Sequence, residues 1–190
     1  MKSIAVYCSS SDIIHKDYFT SAQQLGEAMA NNGFQLVYGG GITGLMGEVA
    51  RSVKNNGGKT LGVIPKALNL DKVVNDIDDE LIITDGMRER KAIMDERADA
   101  FVGLPGGFGT LEEMFEVLTL KQLGYHNKPI VFLNIKAYYN KLFEMFEHIY
   151  TENFAKEQYR VLYHVSDSVE DVMDYLASYQ PPQLPDKWFI

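Results

Sequence analysis

Ala100-Phe-Val-Gly-Leu-Pro-Gly-Gly-Phe-Gly-Thr-Leu-Glu-Glu113 carries the fold in miniature. A short apolar run ends at Pro105. Gly106, Gly107 and Gly109 then let the backbone bend tightly, and a helical pattern begins at Thr110 and runs to Leu123. The run from Ala100 to Leu104 reads as a buried strand, because it is short, apolar and bounded by turn residues. A strand feeding a helix through a glycine turn is the repeating unit of a parallel sheet with helices packed on it.

The same alternation extends in both directions. Strands are expected at Ser3–Cys8, Phe34–Tyr38, Thr60–Ile64, Leu81–Thr84, Pro129–Leu133 and Val161–Val165. Helices are expected over 16–32, where Phe19, Ala22, Leu25 and Met29 recur at helical spacing, and over 44–56, 87–97, 138–151 and 168–179. Leu68–Asp79 reads as mostly loop. Near-continuous apolar strands belong to a sheet covered on both faces. The expectation is an α/β fold: a single Rossmann-like domain over 1–179, a doubly wound parallel sheet flanked by helices. A proline-rich tail over 180–190 cannot be helical, and its Trp188, Phe189 and Ile190 are apolar enough to pack on this subunit or on a partner.

Composition narrows the function. The 190 residues are 46% hydrophobic and 23% charged, with a formal net charge of −8. That balance argues against a general nucleic-acid binder, which needs a basic surface, but leaves room for a local cationic pocket. The single cysteine, Cys8, excludes an intramolecular disulfide and fits a reducing compartment. No uncharged apolar stretch has the length of a membrane span, and Met1 runs almost directly into a strand. A soluble cytoplasmic protein without signal peptide is therefore expected. The histidines at 15, 126, 148 and 164 have no paired ligand spacing, so no metal is expected.

Three small-residue loops fall at carboxyl ends of strands: Cys8–Ser11, Gly39–Gly44 and Gly106–Gly109. That edge of an open parallel sheet is where ligands bind. Glycines let backbone N–H groups approach a phosphate, Thr110 adds a hydroxyl, and the following helix points its positive end at the same place. Arg90 and Lys91 can supply formal charge, and a phosphate monoester is the natural occupant. Ser9 and Ser10 read either as donors around that anion or as a hydrophilic loop. Gly39-Gly-Gly-Ile-Thr-Gly44 matches G-x-G-x-x-G, but the following strand ends at Ile64-Pro65-Lys66 without the carboxylate a dinucleotide site needs. Nucleotide-phosphate contact through Gly40 and Gly41 is favoured over a plain tight turn. Thr110-x-x-Glu113 has the spacing of a capping box, and Glu112 and Glu116 can form a solvated face. A carboxylate one turn from a phosphate cradle is otherwise awkward unless the chemistry wants negative charge there.

Pro105-Gly-Gly-Phe-Gly-Thr-Leu-Glu-Glu113 resembles the PGGxGTxxE signature of the LOG (Lonely Guy) family. These are cytokinin riboside 5′-monophosphate phosphoribohydrolases, often mislabelled lysine decarboxylases. The resemblance extends to Tyr38–Gly47, Ile64-Pro65-Lys66, Met87–Lys91 and Gln122–Pro129. It implies a Rossmann-like fold, a homodimer, no cofactor, and a purine nucleotide as the small-molecule partner, with no nucleic acid and no membrane. Matched by motif position, it implies Arg90 and Glu113 as catalytic residues, and Lys91, Gly107, Phe108, Gly109, Thr110, Leu111, Glu112 and Thr119 as substrate-binding. The chain departs from the family pattern at Ser9, where glycine is common, at Arg88, where histidine is common, and near Lys72, where a glutamate is expected. The implied reaction is hydrolysis of the N-glycosidic bond of a purine nucleoside 5′-monophosphate, of cytokinin type or AMP. The rival is a carrier of a nucleotide or nucleotide-like cofactor, with a cradle but no turnover.

Overall fold

Seven short strands, each pairing in parallel with its neighbours, form one sheet in the order β4-β3-β2-β1-β5-β6-β7. The computed structural model describes residues 2–70, 74 and 77–184. The strands are β1 (Ser3–Tyr7), β2 (Gln35–Tyr38), β3 (Thr60–Pro65), β4 (Glu80–Thr84), β5 (Ala100–Gly103), β6 (Ile130–Leu133) and β7 (His164–Ser166). The helices are α1 (Lys16–Asn31), α2 (Gly44–Asn55), α3 (Met87–Arg97), α4 (Phe108–Gln122), α5 (Asn140–Thr151) and α6 (Val169–Ser178).

Alternation along each strand divides the core in two. Ile4 and Val6 of β1 face one way, into a cluster with Leu25 and Met29 of α1, Val49 and Val53 of α2, and Val172 and Leu176 of α6. Ala5 and Tyr7 face the other way, against Met94 of α3, Met114 and Val117 of α4, and Tyr139 just ahead of α5. The sheet is thus wound on both faces, and the winding reverses between β1 and β5, as in Rossmann-like folds.

Two local expectations change. The strand expected at Val161–Val165 begins only at His164, because Glu157–Leu162 winds into a 3-10 turn that buries Tyr159 and Leu162. The helix expected from Thr110 begins at Phe108, with Gly107 as its N-cap. Of the histidines, His15 caps α1 by accepting from the Asp17 N–H at 3.3 Å. His164 bonds Asp171 at 2.9 Å and stacks on Tyr175. The expectations for Lys72 and for Trp188, Phe189 and Ile190 lie outside the described residues.

Candidate active site

The carboxyl ends of β1 and β5 lie side by side at the reversal point, which opens a crevice there. The loop after β1 is held between its neighbours: the Ser9 N–H donates to the Pro105 carbonyl at 3.2 Å. On the other side the Leu45 N–H donates to the Ser9 carbonyl at 2.9 Å, and the Gly44 N–H to Asp12 Oδ1 at 2.8 Å. Gly44 sits at φ 60°, and a Cβ there would lie 2.7 Å from Ser10 Cα, so only glycine allows this junction. These bonds use up the first donors of α2. The anion contact expected of the Gly39–Gly44 turn is therefore not made through that helix start, which instead docks on the serine loop.

The crevice is a cavity of about 370 Å³. It brings together Ser9, Ser10, Arg90, Gly107, Phe108, Gly109, Thr110 and Glu113. Its size suits a small ligand. At one end stands the start of α4. The N–H groups of Phe108, Gly109 and Thr110 have no acceptor among the described residues, and the helix dipole adds partial positive charge. The preceding turn is braced from behind: the Tyr139 hydroxyl donates to the Leu104 carbonyl and the Tyr138 hydroxyl to the Gly106 carbonyl, each at 2.6 Å. With these carbonyls engaged behind the turn, the loop is preorganised to meet an anion with N–H groups.

At the floor, Arg90 of α3 and Glu113 of α4 form a buried ion pair, Nη1 to Oε1 at 2.6 Å, with relative exposures of 8% and 9%. Arg90 Nε also donates to the Val63 carbonyl at 3.0 Å, so the guanidinium is fixed at two points. Gly39 makes room for it: a Cβ at Gly39 would press into the guanidinium, 3.3 Å from Cζ and nearer still to Nη2. Because α4 starts at Phe108, Glu113 lies in its second turn, and the capping box suggested by Thr110-x-x-Glu113 does not form. Burial raises the Glu113 carboxyl above its ordinary range, and the Arg90 charge opposes that rise without cancelling it. The site therefore holds a nearly dry carboxylate beside a fixed cation, one helical turn from an anion cradle.

Other expected site residues stand apart from this cavity. Lys91 points along the outer groove between α3 and α4, where it pairs with Glu112 and with Glu116, the latter at 2.8 Å. Glu112 and Glu116 form an exposed face as expected, and together they clamp this one lysine. Leu111 packs into the core beside α4, and Gly106 contributes its carbonyl to Tyr138 rather than a wall. Gly40 lies against Ile64 of β3, and Gly41 bridges to Val74. Thr119 lines a separate groove with Phe115 and Phe146. Lys66 pairs with Asp85 at 2.6 Å. Residues the sequence reading did not single out as binding also line the cavity: Tyr7, Met46, Met87 and Gly39. Gly39, Met46 and Met87 lie within stretches that carry the family resemblance, whereas Tyr7 had no sequence signal of its own. Among the described residues no group of three or more His, Cys, Asp or Glu could hold a metal ion, and no helix is long and apolar enough to cross a membrane.

Comparison with known proteins identifies the family. A family model described as "Possible lysine decarboxylase" matches residues 46–176. A cytokinin riboside 5′-monophosphate phosphoribohydrolase of Arabidopsis thaliana is 39% identical over 180 residues, covering 95% of this chain and 83% of that protein. A probable enzyme of the same name from Oryza sativa subsp. japonica is 40% identical, covering 94% of this chain and 78% of its own length. Among solved structures, the molybdenum cofactor binding protein of Rippkaea orientalis superposes with a TM-score of 0.72 at 22% identity, covering 94% of this chain and 97% of that one. That likeness shows the fold. The molybdenum cofactor carrier protein of Chlamydomonas reinhardtii gives 0.70 at 25%, with 94% and 99% covered. With the family model spanning most of the chain and relatives matching nearly all of it, the chain belongs to the LOG family, whose model carries the lysine decarboxylase description.

Proposed function

We propose that the protein is a nucleoside 5′-monophosphate phosphoribohydrolase, cleaving the N-glycosidic bond of purine nucleotides to free base and ribose 5-phosphate. The observation that carries this reading is the buried Arg90–Glu113 pair, held one turn behind the open N-terminus of α4. The N–H groups of Phe108, Gly109 and Thr110, with the Thr110 hydroxyl, would take the 5′-phosphate. Ser9 and Ser10 face the same space from the β1 loop. That remote contact fixes the ribose relative to Glu113. As the glycosidic bond lengthens, positive charge develops on the ribose, and the Glu113 carboxylate stabilises it and takes a proton from the attacking water. Arg90 has two nitrogens committed to Val63 and Glu113 and turns Nη2 to the Gly39 side of the cavity. A guanidinium does not release its proton near neutral pH, so its role is electrostatic.

Both cytokinin-type nucleotides and AMP fit this scheme, and the curated relatives' names favour the former. The single-domain extent over 1–179, the cytoplasmic location and the homodimer belong to the same proposal. The dimer is supported by the groove on the outer face of α4, where Thr119 lies among apolar residues of α4 and α5, with Phe115 exposed. Thr119 does not reach its own chain's cavity, so a substrate contact by it requires a second copy.

The test is release of free base from AMP and from an N6-isopentenyl analogue, followed by chromatography, with the matching nucleosides alongside. Charge-assisted bonds to the phosphate contribute about 1.5–3 kcal/mol each, so the nucleosides should be poorer substrates by several orders of magnitude. Equal specificity constants for AMP and adenosine would contradict the cradle. The carrier reading is favoured by the names of the structural neighbours, and stoichiometric nucleotide binding without base release would establish it.

A further inference from the structure

Tyr7 ends β1 with its ring stacked on Phe101, centroids 6.2 Å apart, and is only 3% exposed. Its hydroxyl forms no hydrogen bond with any described residue. Its oxygen is not among the fully enclosed unpaired atoms, so the hydroxyl reaches space where a water can meet it. Among the described residues Tyr7 alone lines both the active-site cavity and a second cavity, of about 180 Å³, between α3 and α4. In the wall of that second cavity Asp95 Oδ1 is buried and ion-paired with the Lys128 ammonium at 3.5 Å. Tyr7 thus brings a donor without a protein acceptor into the wall that it shares with Glu113 around the active-site cavity.

Resting on the hydrolase reading above, we infer that Tyr7 takes part in the reaction: its hydroxyl, in the wall shared by the two cavities, donates to the attacking water and holds it beside Glu113. Such a water accepts from Tyr7, donates to Glu113, and keeps one lone pair for the anomeric carbon. The new C–O bond forms there, the C–N bond breaks with its electron pair leaving on the base nitrogen, and the water proton passes to Glu113. The charged groups that act on Tyr7 fit this placement. Glu113 acts most strongly, with Asp95 and Glu116 on the same side of the balance and Arg90 opposing. Together with burial they keep the phenol protonated well above its ordinary range, so it serves as a donor and not as a base.

The test is Tyr7→Phe, which keeps the ring stacked on Phe101 and removes only the hydroxyl. The inference predicts that kcat for the native chain's best purine nucleotide falls about ten- to hundredfold. KM and inhibition by ribose 5-phosphate should stay within twofold, because the phosphate cradle is untouched. The acid limb of the kcat profile should move to higher pH, since Glu113 loses a bridged donor. The melting temperature should not drop, because a hydroxyl without a protein partner adds little stability. An unchanged kcat and acid limb would overturn the inference. So would a lower melting temperature with KM and kcat degraded together, which marks a packing role. If the native control releases no base from any nucleotide, the hydrolase reading fails first and this inference falls with it.

Discussion

Replacing Gly39 by alanine should damage the site from outside its chemistry. Gly39 has no left-handed φ, so alanine is acceptable to the backbone and the effect is steric. The added Cβ would lie 2.8 Å from Met46 Sδ and 3.3 Å from Arg90 Cζ, with Nη2 closer still. Carbon and nitrogen atoms rest near 3.5 Å, so the guanidinium must withdraw by roughly 1 Å. A free arginine would simply swing aside. Arg90 cannot, because Nε is bonded to the Val63 carbonyl at 3.0 Å and Nη1 to Glu113 at 2.6 Å. A shift of that size stretches at least one of these bonds past hydrogen-bond range, at a cost of about 2–3 kcal/mol for a bond to a charged group. For a chain of this length that corresponds to a melting temperature lower by roughly 5–10 °C. Displacing a catalytic group by about 1 Å costs on the order of a hundredfold in kcat. Calorimetry and base-release kinetics read the two effects. Gly86→Ala is the control, since its Cβ would meet open space. A Gly39→Ala protein with native melting temperature and native kcat would refute the argument that Arg90 is pinned.

Two pH effects follow from buried charges. Because burial raises the Glu113 carboxyl and the reaction needs it ionised, kcat should fall on the acid side at a pH above the ordinary glutamate range. Its raised folded-state pKa also means that its own contribution to stability declines as pH rises through that window, a slope that Glu113→Gln should remove in pH-dependent denaturation. Lys121 behaves in the opposite sense. It is fully buried, donates to the Leu162 carbonyl at 2.8 Å, and has its pKa lowered by desolvation to about 8. The unfolded chain therefore binds this proton more tightly than the folded one. Stability should rise as pH goes from about 8 to the ordinary lysine range. Denaturant titrations should show that rise in the native chain and not in Lys121→Met.

The architecture was legible because strand and helix periodicities are strong here and the strands are nearly all apolar. What the sequence could not resolve were questions of who bonds whom across the fold. Thr110-x-x-Glu113 has the spacing of a capping box, yet two residues of extra helix at Phe108 and Gly109 move Glu113 into the second turn, where Arg90 claims it. The Gly39–Gly44 turn has the spacing of a phosphate loop, yet its last N–H, that of Gly44, goes to Asp12 and the next, that of Leu45, to the Ser9 carbonyl, some thirty residues earlier in the chain. Glu112 and Glu116 are solvated surface, as their spacing suggests, but nothing in that spacing reveals Lys91 held between them. In each case local spacing permits two partners, and only the tertiary arrangement selects one. Tyr7 shows the limit most clearly. In the sequence it is one more apolar-compatible residue of a buried strand, and only its position between two cavities sets it apart.

The account depends most on Glu113 acting as a charge and not as a structural post. Glu113→Gln keeps the size of the side chain and an oxygen to accept from Arg90 Nη1, while removing the carboxylate. Calorimetric titration with AMP or its N6-isopentenyl analogue, alongside chromatographic assay of released base, compares binding with turnover in the same preparation. The account predicts that the glutamine variant binds the nucleotide at least as tightly, since a negative charge near the phosphate is gone, while base release falls by roughly two to four orders of magnitude. A variant that binds normally and still releases base at the native rate would show that the carboxylate is not the catalyst.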